Sequence, residues 1–160
     1  MNKTVCMVCT GNTCRSPMAE ALLRKMLDEA GIKNIDVFSA GTFAIEGQPA
    51  SEQSQIVMKD YGISLKKHRA APLTRELCEK ADVIITMEAW HIDEVLARNA
   101  RNKEKTHTLK GYAAGILGFP GEGYDISDPF RGTIDDYKAC AKEIHELVTL
   151  AAPLLCRDLE

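Results

Sequence analysis

Cys9 and Arg15 stand six residues apart at the two ends of Cys9-Thr10-Gly11-Asn12-Thr13-Cys14-Arg15, and Ser16-Pro17 follows at once. A thiol facing the start of a helix meets free backbone N–H groups and the positive end of the helix dipole, which together favour an anion. The same field favours a thiolate over a thiol, so Cys9 reads as a nucleophile. Arg15 closes the segment with a planar fork that matches two phosphate oxygens. A nucleophile and an anion cradle in one loop imply phosphoryl transfer, with the loop N–H groups and Arg15 holding the equatorial oxygens as charge redistributes. Within the cradle, Asn12 tolerates the left-handed backbone that a tight anion nest needs.

The elements that must position this loop follow from periodicity. Thr4–Val8 is almost wholly apolar, as a strand buried on both faces requires. A helix is expected from Pro17, carrying Ala19, Leu22, Leu23, Met26, Leu27 and Ala30 on one face and stopped by Gly31. Further strands are expected at Ile35–Ser39, Val83–Met87 and Lys105–Leu109. Helices are expected at Ala50–Tyr61, at a short segment capped by Thr74, at Glu88–Ala100 and from Thr133 onward. Thr133 and Asp136 form a capping box, and Tyr137, Cys140, Ala141, Ile144, Leu147, Val148 and Ala151 make the buried stripe that follows. Between them Gly111–Gly123 holds five of the eleven glycines and reads as loop. Short apolar runs alternating with amphipathic segments predict an α/β fold with a parallel sheet covered by helices. In such sheets ligands sit beyond the strand C-termini where strand order reverses, and the loop after the first strand is the natural candidate.

Bulk properties narrow the class. A chain of 160 residues with 45% hydrophobic and 27% charged residues is one ordinary domain, taken as residues 1–158, with Leu159-Glu160 read as a possible cloning remnant. A net charge of −3 leaves no nucleic-acid footprint, so phosphate affinity must be local. No apolar run is long enough for a membrane span and the N-terminus lacks a signal-peptide core, which makes a cytoplasmic protein the expectation. The six cysteines then read as reduced thiols. Cys6 and Cys9 have metal-ligand spacing, but their odd separation on a strand points them to opposite faces and no second pair completes a site. Trp90 and Tyr112 read as core aromatics.

The segment Cys9–Pro17, together with Ser39-Ala40-Gly41-Thr42, His68 and Asp128-Pro129-Phe130, resembles the low-molecular-weight protein tyrosine phosphatase family over the whole chain. The resemblance implies a three-layer α/β/α fold with a four-stranded parallel, flavodoxin-like sheet. It implies a hydrolase acting on phosphorylated proteins, with no metal and no other cofactor, and a monomer is the expectation. It gives Ser16, which could otherwise merely cap the helix, a hydrogen bond to the thiolate. Ser39 and His68 would brace Asn12 from outside the loop. Leaving-group departure needs a proton, and Asp128, stiffened by Pro129, is the general acid that the family match favours over Asp125. The implied reaction has two steps: Cys9 attacks in line while Asp128 protonates the leaving group, and Asp128 then activates water to hydrolyse the phosphocysteine. The family also implies a reversible Cys9–Cys14 disulfide, since a low-pKa thiolate oxidises readily and a nearby thiol can trap the sulfenic acid.

Thr13 and Phe130 bear on the substrate. Tyrosine-directed relatives usually carry a bulky aliphatic residue where Thr13 stands, whereas Cys-Thr-Gly-Asn-Thr-Cys-Arg-Ser-Pro resembles the protein arginine phosphatase branch. A guanidinium needs hydrogen-bond acceptors, which Thr13 and Asp128 supply. Arg131 departs from that branch, which resembles Asp-Pro-Phe-Gly-Gly here, and a cation at the rim favours acidic phosphopeptides. Phosphoarginine in proteins is the expected substrate and phosphotyrosine the alternative. Two further readings are thiol-dependent arsenate reductase and a non-catalytic phosphopeptide-binding module. The first needs a redox relay that Cys78 alone does not provide, with Ile85 where a partner is wanted. The second is disfavoured by Cys9, Arg15 and Asp128 occurring together.

Overall fold

The structure is a computed structural model describing residues 1–160. Four strands, β1 (Lys3–Cys9), β2 (Ile35–Gly41), β3 (Val83–Thr86) and β4 (Thr106–Thr108), form one parallel sheet in the order β2-β1-β3-β4. The order reverses between β1 and β3, so the ends of these two strands flank the crevice that the topology opens. Six helices cover the sheet: α1 (Arg15–Glu29), α2 (Glu52–Lys59), α3 (Arg75–Lys80), α4 (Ala89–Arg98), α5 (Leu109–Ala113) and α6 (Ile134–Asp158).

Alternation along β1 separates two cores, giving the three layers. Val5, Met7 and Cys9 face the larger one with α1, α2, α5 and α6, while Cys6 and Val8 face the smaller one with residues of α3 and α4. Cys6 and Cys9 therefore lie on opposite faces, as their spacing requires. On α1, Ala19, Leu22, Leu23 and Leu27 are buried, Met26 is half-buried, and Ala30 is exposed at the cap before Gly31. The Thr133–Asp136 capping box opens α6 in both directions. Leu147 lies half-buried at the edge of the α6 stripe.

The structure corrects the sequence reading at three points. Helix α1 begins at Arg15 rather than Pro17, because the loop is already coiled when it reaches Cys14; Pro17 then occupies the first turn, where its missing N–H costs nothing. The glycine-rich stretch opens with helix α5, nucleated by Thr108, whose hydroxyl accepts from the Gly111 N–H. Trp90 is not a core aromatic; it is 39% exposed, whereas Tyr112 is buried and its hydroxyl donates to Asp158 at 2.5 Å. Leu159 packs into the larger core.

Candidate active site

The loop leaves β1 at Cys9 and enters α1 at Arg15, so Thr10–Cys14 wraps the N-terminus of a fifteen-residue helix. Asn12 holds the tightest point of the turn, at φ 56°. Its side-chain polar atoms and its carbonyl are all used. Its Nδ2 donates to Ser16 Oγ at 2.8 Å and Ser39 Oγ at 2.9 Å, its Oδ1 accepts from the Ala71 N–H at 2.9 Å, and its carbonyl accepts from His68 Nε2 at 2.7 Å. Ser39 and His68 are thus brought to Asn12 from β2 and from the loop before α3. The neighbouring Gly41 lets the loop sit against bare backbone: a Cβ there would lie 2.5 Å from the Thr10 carbonyl oxygen and 3.0 Å from the Asn12 nitrogen.

These bonds have a fixed direction. Ser39 Oγ donates to Glu20 Oε1 at 2.6 Å and therefore receives the Asn12 amide proton. Ser16 Oγ also accepts from Asn12, which turns its own proton toward Cys9 Sγ, 2.9 Å away. Ser16 is not the helix cap, since it sits in the second helical position with its hydroxyl committed to the sulfur.

Arg15 is buried. Its Nη1 donates to Glu88 Oε2 at 2.7 Å and to the Ile126 carbonyl at 2.8 Å, which uses both protons of that nitrogen. Nε and Nη2 remain to present a fork, and Nη2 lies 3.4 Å from Asp128 Oδ2. Burial works against the guanidinium charge, but Cys9, Glu88 and Asp128 outweigh it and hold Arg15 above its ordinary range.

Asp128 is set by its own turn, its Oδ1 accepting the Phe130 N–H at 3.0 Å. It lines a cavity of about 420 Å³ with Pro129, Phe130 and Cys140. Asp125, the rival acid, instead accepts the Ala89 N–H at 2.7 Å at the start of α4. Thr13 and Thr10 are half-buried in the loop, and Thr13's carbonyl accepts from the Ser51 N–H at 2.9 Å. Phe130 is exposed, and Arg131, at φ 63°, places its guanidinium carbon 5.4 Å from the Phe130 ring centre. Cys14 is a buried free thiol whose pKa is raised by burial and by the neighbouring Cys9.

Three residues of the site were not found by reading the sequence. Glu20, four residues after Ser16, shares its helix face, and that spacing was the available signal. Glu88 and His91 follow β3, the strand beside β1, so the topology delivers them to the loop. His91 is fully buried, its Nε2 3.0 Å from Thr10 Oγ1. The largest cavity, about 810 Å³, lies elsewhere, among Arg24, Lys25, Asp28, Asp36 and Lys80, and contains no histidine or cysteine.

The arrangement joins a sulfur, a turn of backbone N–H groups, a buried guanidinium and a carboxyl group, which suits in-line transfer of a phosphoryl group. The chain is 40% identical over 151 residues to a protein-arginine-phosphatase of Bacillus subtilis, covering 94% of this chain and 95% of that protein. It is 36% identical over 153 residues to a probable low molecular weight protein-tyrosine-phosphatase, EpsP, of Ralstonia nicotianae, with 96% of each covered. A solved structure of the YwlE arginine phosphatase, a mutant with a phosphorylated active-site serine, superposes with a TM-score of 0.87 at 38% identity, covering 98% of this chain and 99% of that one. Residues 4–158 match the model of the low molecular weight phosphotyrosine protein phosphatase family, and the chain belongs to that family.

Proposed function

We propose that this chain hydrolyses phosphoarginine in proteins through a phosphocysteine intermediate. The observation that carries the reaction is the placement of Arg15. It is fixed by Glu88 and Ile126, with its remaining fork beside Asp128 and at the end of the loop that Cys9 opens. The phosphoryl group lies against the loop N–H groups and the Arg15 fork, and Cys9 attacks phosphorus opposite the leaving nitrogen. Asp128 gives its proton to that nitrogen as the P–N bond breaks. Its carboxylate then takes a proton from the water that attacks phosphorus, and the P–S bond breaks to return the thiolate, toward which Ser16 donates. Metal and cofactor have no part in this sequence. The protein acts as a monomer in the cytoplasm, and Cys14 serves as the thiol that traps an oxidised Cys9.

Thr13 supports the choice of substrate: a hydroxyl at the loop, with Asp128 nearby, offers acceptors to a guanidinium where an aliphatic side chain would offer a phenol only contact. Phosphotyrosine is the second reading, favoured by the Arg131 guanidinium held at the Phe130 ring, where its charge opposes a cationic substrate. The deciding experiment is kcat/KM on phosphoarginine and phosphotyrosine peptides for wild type and Thr13→Ile. A phosphoarginine preference that collapses or inverts in Thr13→Ile supports the proposal. A wild-type preference for phosphotyrosine replaces it with the second reading, the machinery being shared.

A further inference from the structure

His91 lies outside the loop, on the first turn of α4, and is hydrogen-bonded to it through one nitrogen. The ring is fully buried, and the exposed Trp90 packs over it with ring centres 4.2 Å apart. Its two nitrogens have different tasks. Nδ1 lies 3.0 Å from the Glu88 backbone nitrogen, which can only donate, so Nδ1 is the unprotonated nitrogen. The proton of the neutral ring is then on Nε2, which points at Thr10 Oγ1 from 3.0 Å. Burial, reinforced by Arg15, pushes His91 down to about 3, which keeps the ring neutral in this tautomer.

A donor at Nε2 makes Thr10 Oγ1 an acceptor on that side, and the hydroxyl proton of Thr10 must point elsewhere. Thr10 directly follows Cys9 in the anion loop. We infer that His91 is a positioning residue that fixes the polarity of Thr10, so that the Thr10 hydroxyl donates to the phosphoryl group bound on the loop. The inference rests on the proposed phosphatase reading only in naming the ligand as a phosphoryl group. It also explains why a histidine occupies this helix start: the ring caps α4 with one nitrogen and sets the loop with the other.

Those two tasks can be separated by substitution. In His91→Asn the side-chain oxygen replaces Nδ1 and keeps the cap on Glu88, but nothing reaches Thr10. In His91→Gln the amide nitrogen replaces Nε2 and keeps the bond to Thr10, at the expense of the cap. Inorganic phosphate affinity is measured for each, with kcat/KM on phosphoarginine and on an aryl phosphate, alongside thermal melting. Thr10→Val and His91→Asn should each weaken phosphate binding and kcat/KM by about tenfold or more, equally for both substrates, as loss of a hydrogen bond to a charged group requires. His91→Gln should stay close to wild type in both while melting at a lower temperature. The double variant Thr10→Val with His91→Asn should be no worse than Thr10→Val alone.

Affinity and activity that simply follow melting temperature, with His91→Asn intact and His91→Gln impaired, would reduce His91 to a structural cap and overturn the inference. So would a further tenfold loss from His91→Asn in the Thr10→Val background, or a Thr10→Val loss confined to phosphoarginine. If the wild type hydrolyses neither substrate yet the phosphate affinities follow the expected pattern, the phosphatase reading fails and the assignment of His91 stands.

Discussion

Ser16 Oγ lies 2.9 Å from Cys9 Sγ and donates to it, because Asn12 already fills its acceptor side. The bond is the last of a directed series that starts at the Glu20 carboxylate and passes through Ser39 and Asn12. It strengthens whenever the sulfur carries charge, as it does when the P–S bond breaks. Replacing Ser16 by alanine should lower kcat by about tenfold to a hundredfold with KM little changed, in steady-state assays on an aryl phosphate. Glu20→Gln should cost less, because it acts on the sulfur through three intervening groups, Ser39, Asn12 and Ser16.

Asp128 sits beside Arg15 with one oxygen held by its own turn. In Asp128→Asn the leaving group departs unprotonated, so kcat/KM should fall by about 10²–10⁴. The loss should be largest for leaving groups of high pKa and smallest for p-nitrophenol. A loss independent of the leaving group would move the acid to another residue.

Cys14 and Cys9 are both buried and reduced, and burial keeps Cys14 a thiol until it is called upon. After brief exposure to peroxide, wild-type activity should return on treatment with dithiothreitol, while Cys14→Ser should lose activity irreversibly. Mass spectrometry would find a Cys9–Cys14 disulfide in the first case and a sulfinic acid at Cys9 in the second. Wild-type inactivation that no reductant reverses from its first increment would exclude the switch.

His91 adds a pH dependence to stability. Its folded-state pKa of about 3 lies below the ordinary value, so below roughly pH 6.5 the unfolded chain binds a proton that the folded one refuses. The contribution is complete above that pH and is lost as pH falls toward 3, amounting to about 2 kcal/mol by pH 5. Urea unfolding at pH 7.5 and pH 5 should show wild type losing about that much more than His91→Gln. Equal losses in the two proteins would place the ring in contact with solvent.

The contiguous part of the site was legible in the sequence, because Cys9 to Ser16 is one local structure whose strand, turn and helix are all signalled by residue type. Asp128 was legible only beside its family resemblance, since a loop aspartate has many structural uses, and Asp125 demonstrates one of them. Glu88 and His91 were hidden because nothing local marks a residue 73 or 81 positions away as a neighbour. Strand order alone brings them in, and order is a global property. The fold followed from periodicity, with errors where short elements hide in unusual composition, as α5 does among glycines. Trp90 was misread because hydrophobic character argues for burial, while its position at the start of α4 leaves part of the ring in solvent.

Gly41 gives the loop a history as well as a shape. The cradle is cast against the neighbouring strand, and the mould surface at that point is a missing side chain. Any inherited change that adds one carbon at position 41 must displace the Thr10 carbonyl or the Asn12 nitrogen, however favourable the loop sequence itself remains. The rim, where Thr13, Phe130 and Arg131 stand, can therefore vary while position 41 of β2 stays a glycine. Substrate preference can drift in such a lineage while the depth and curvature of the phosphate seat stay constant.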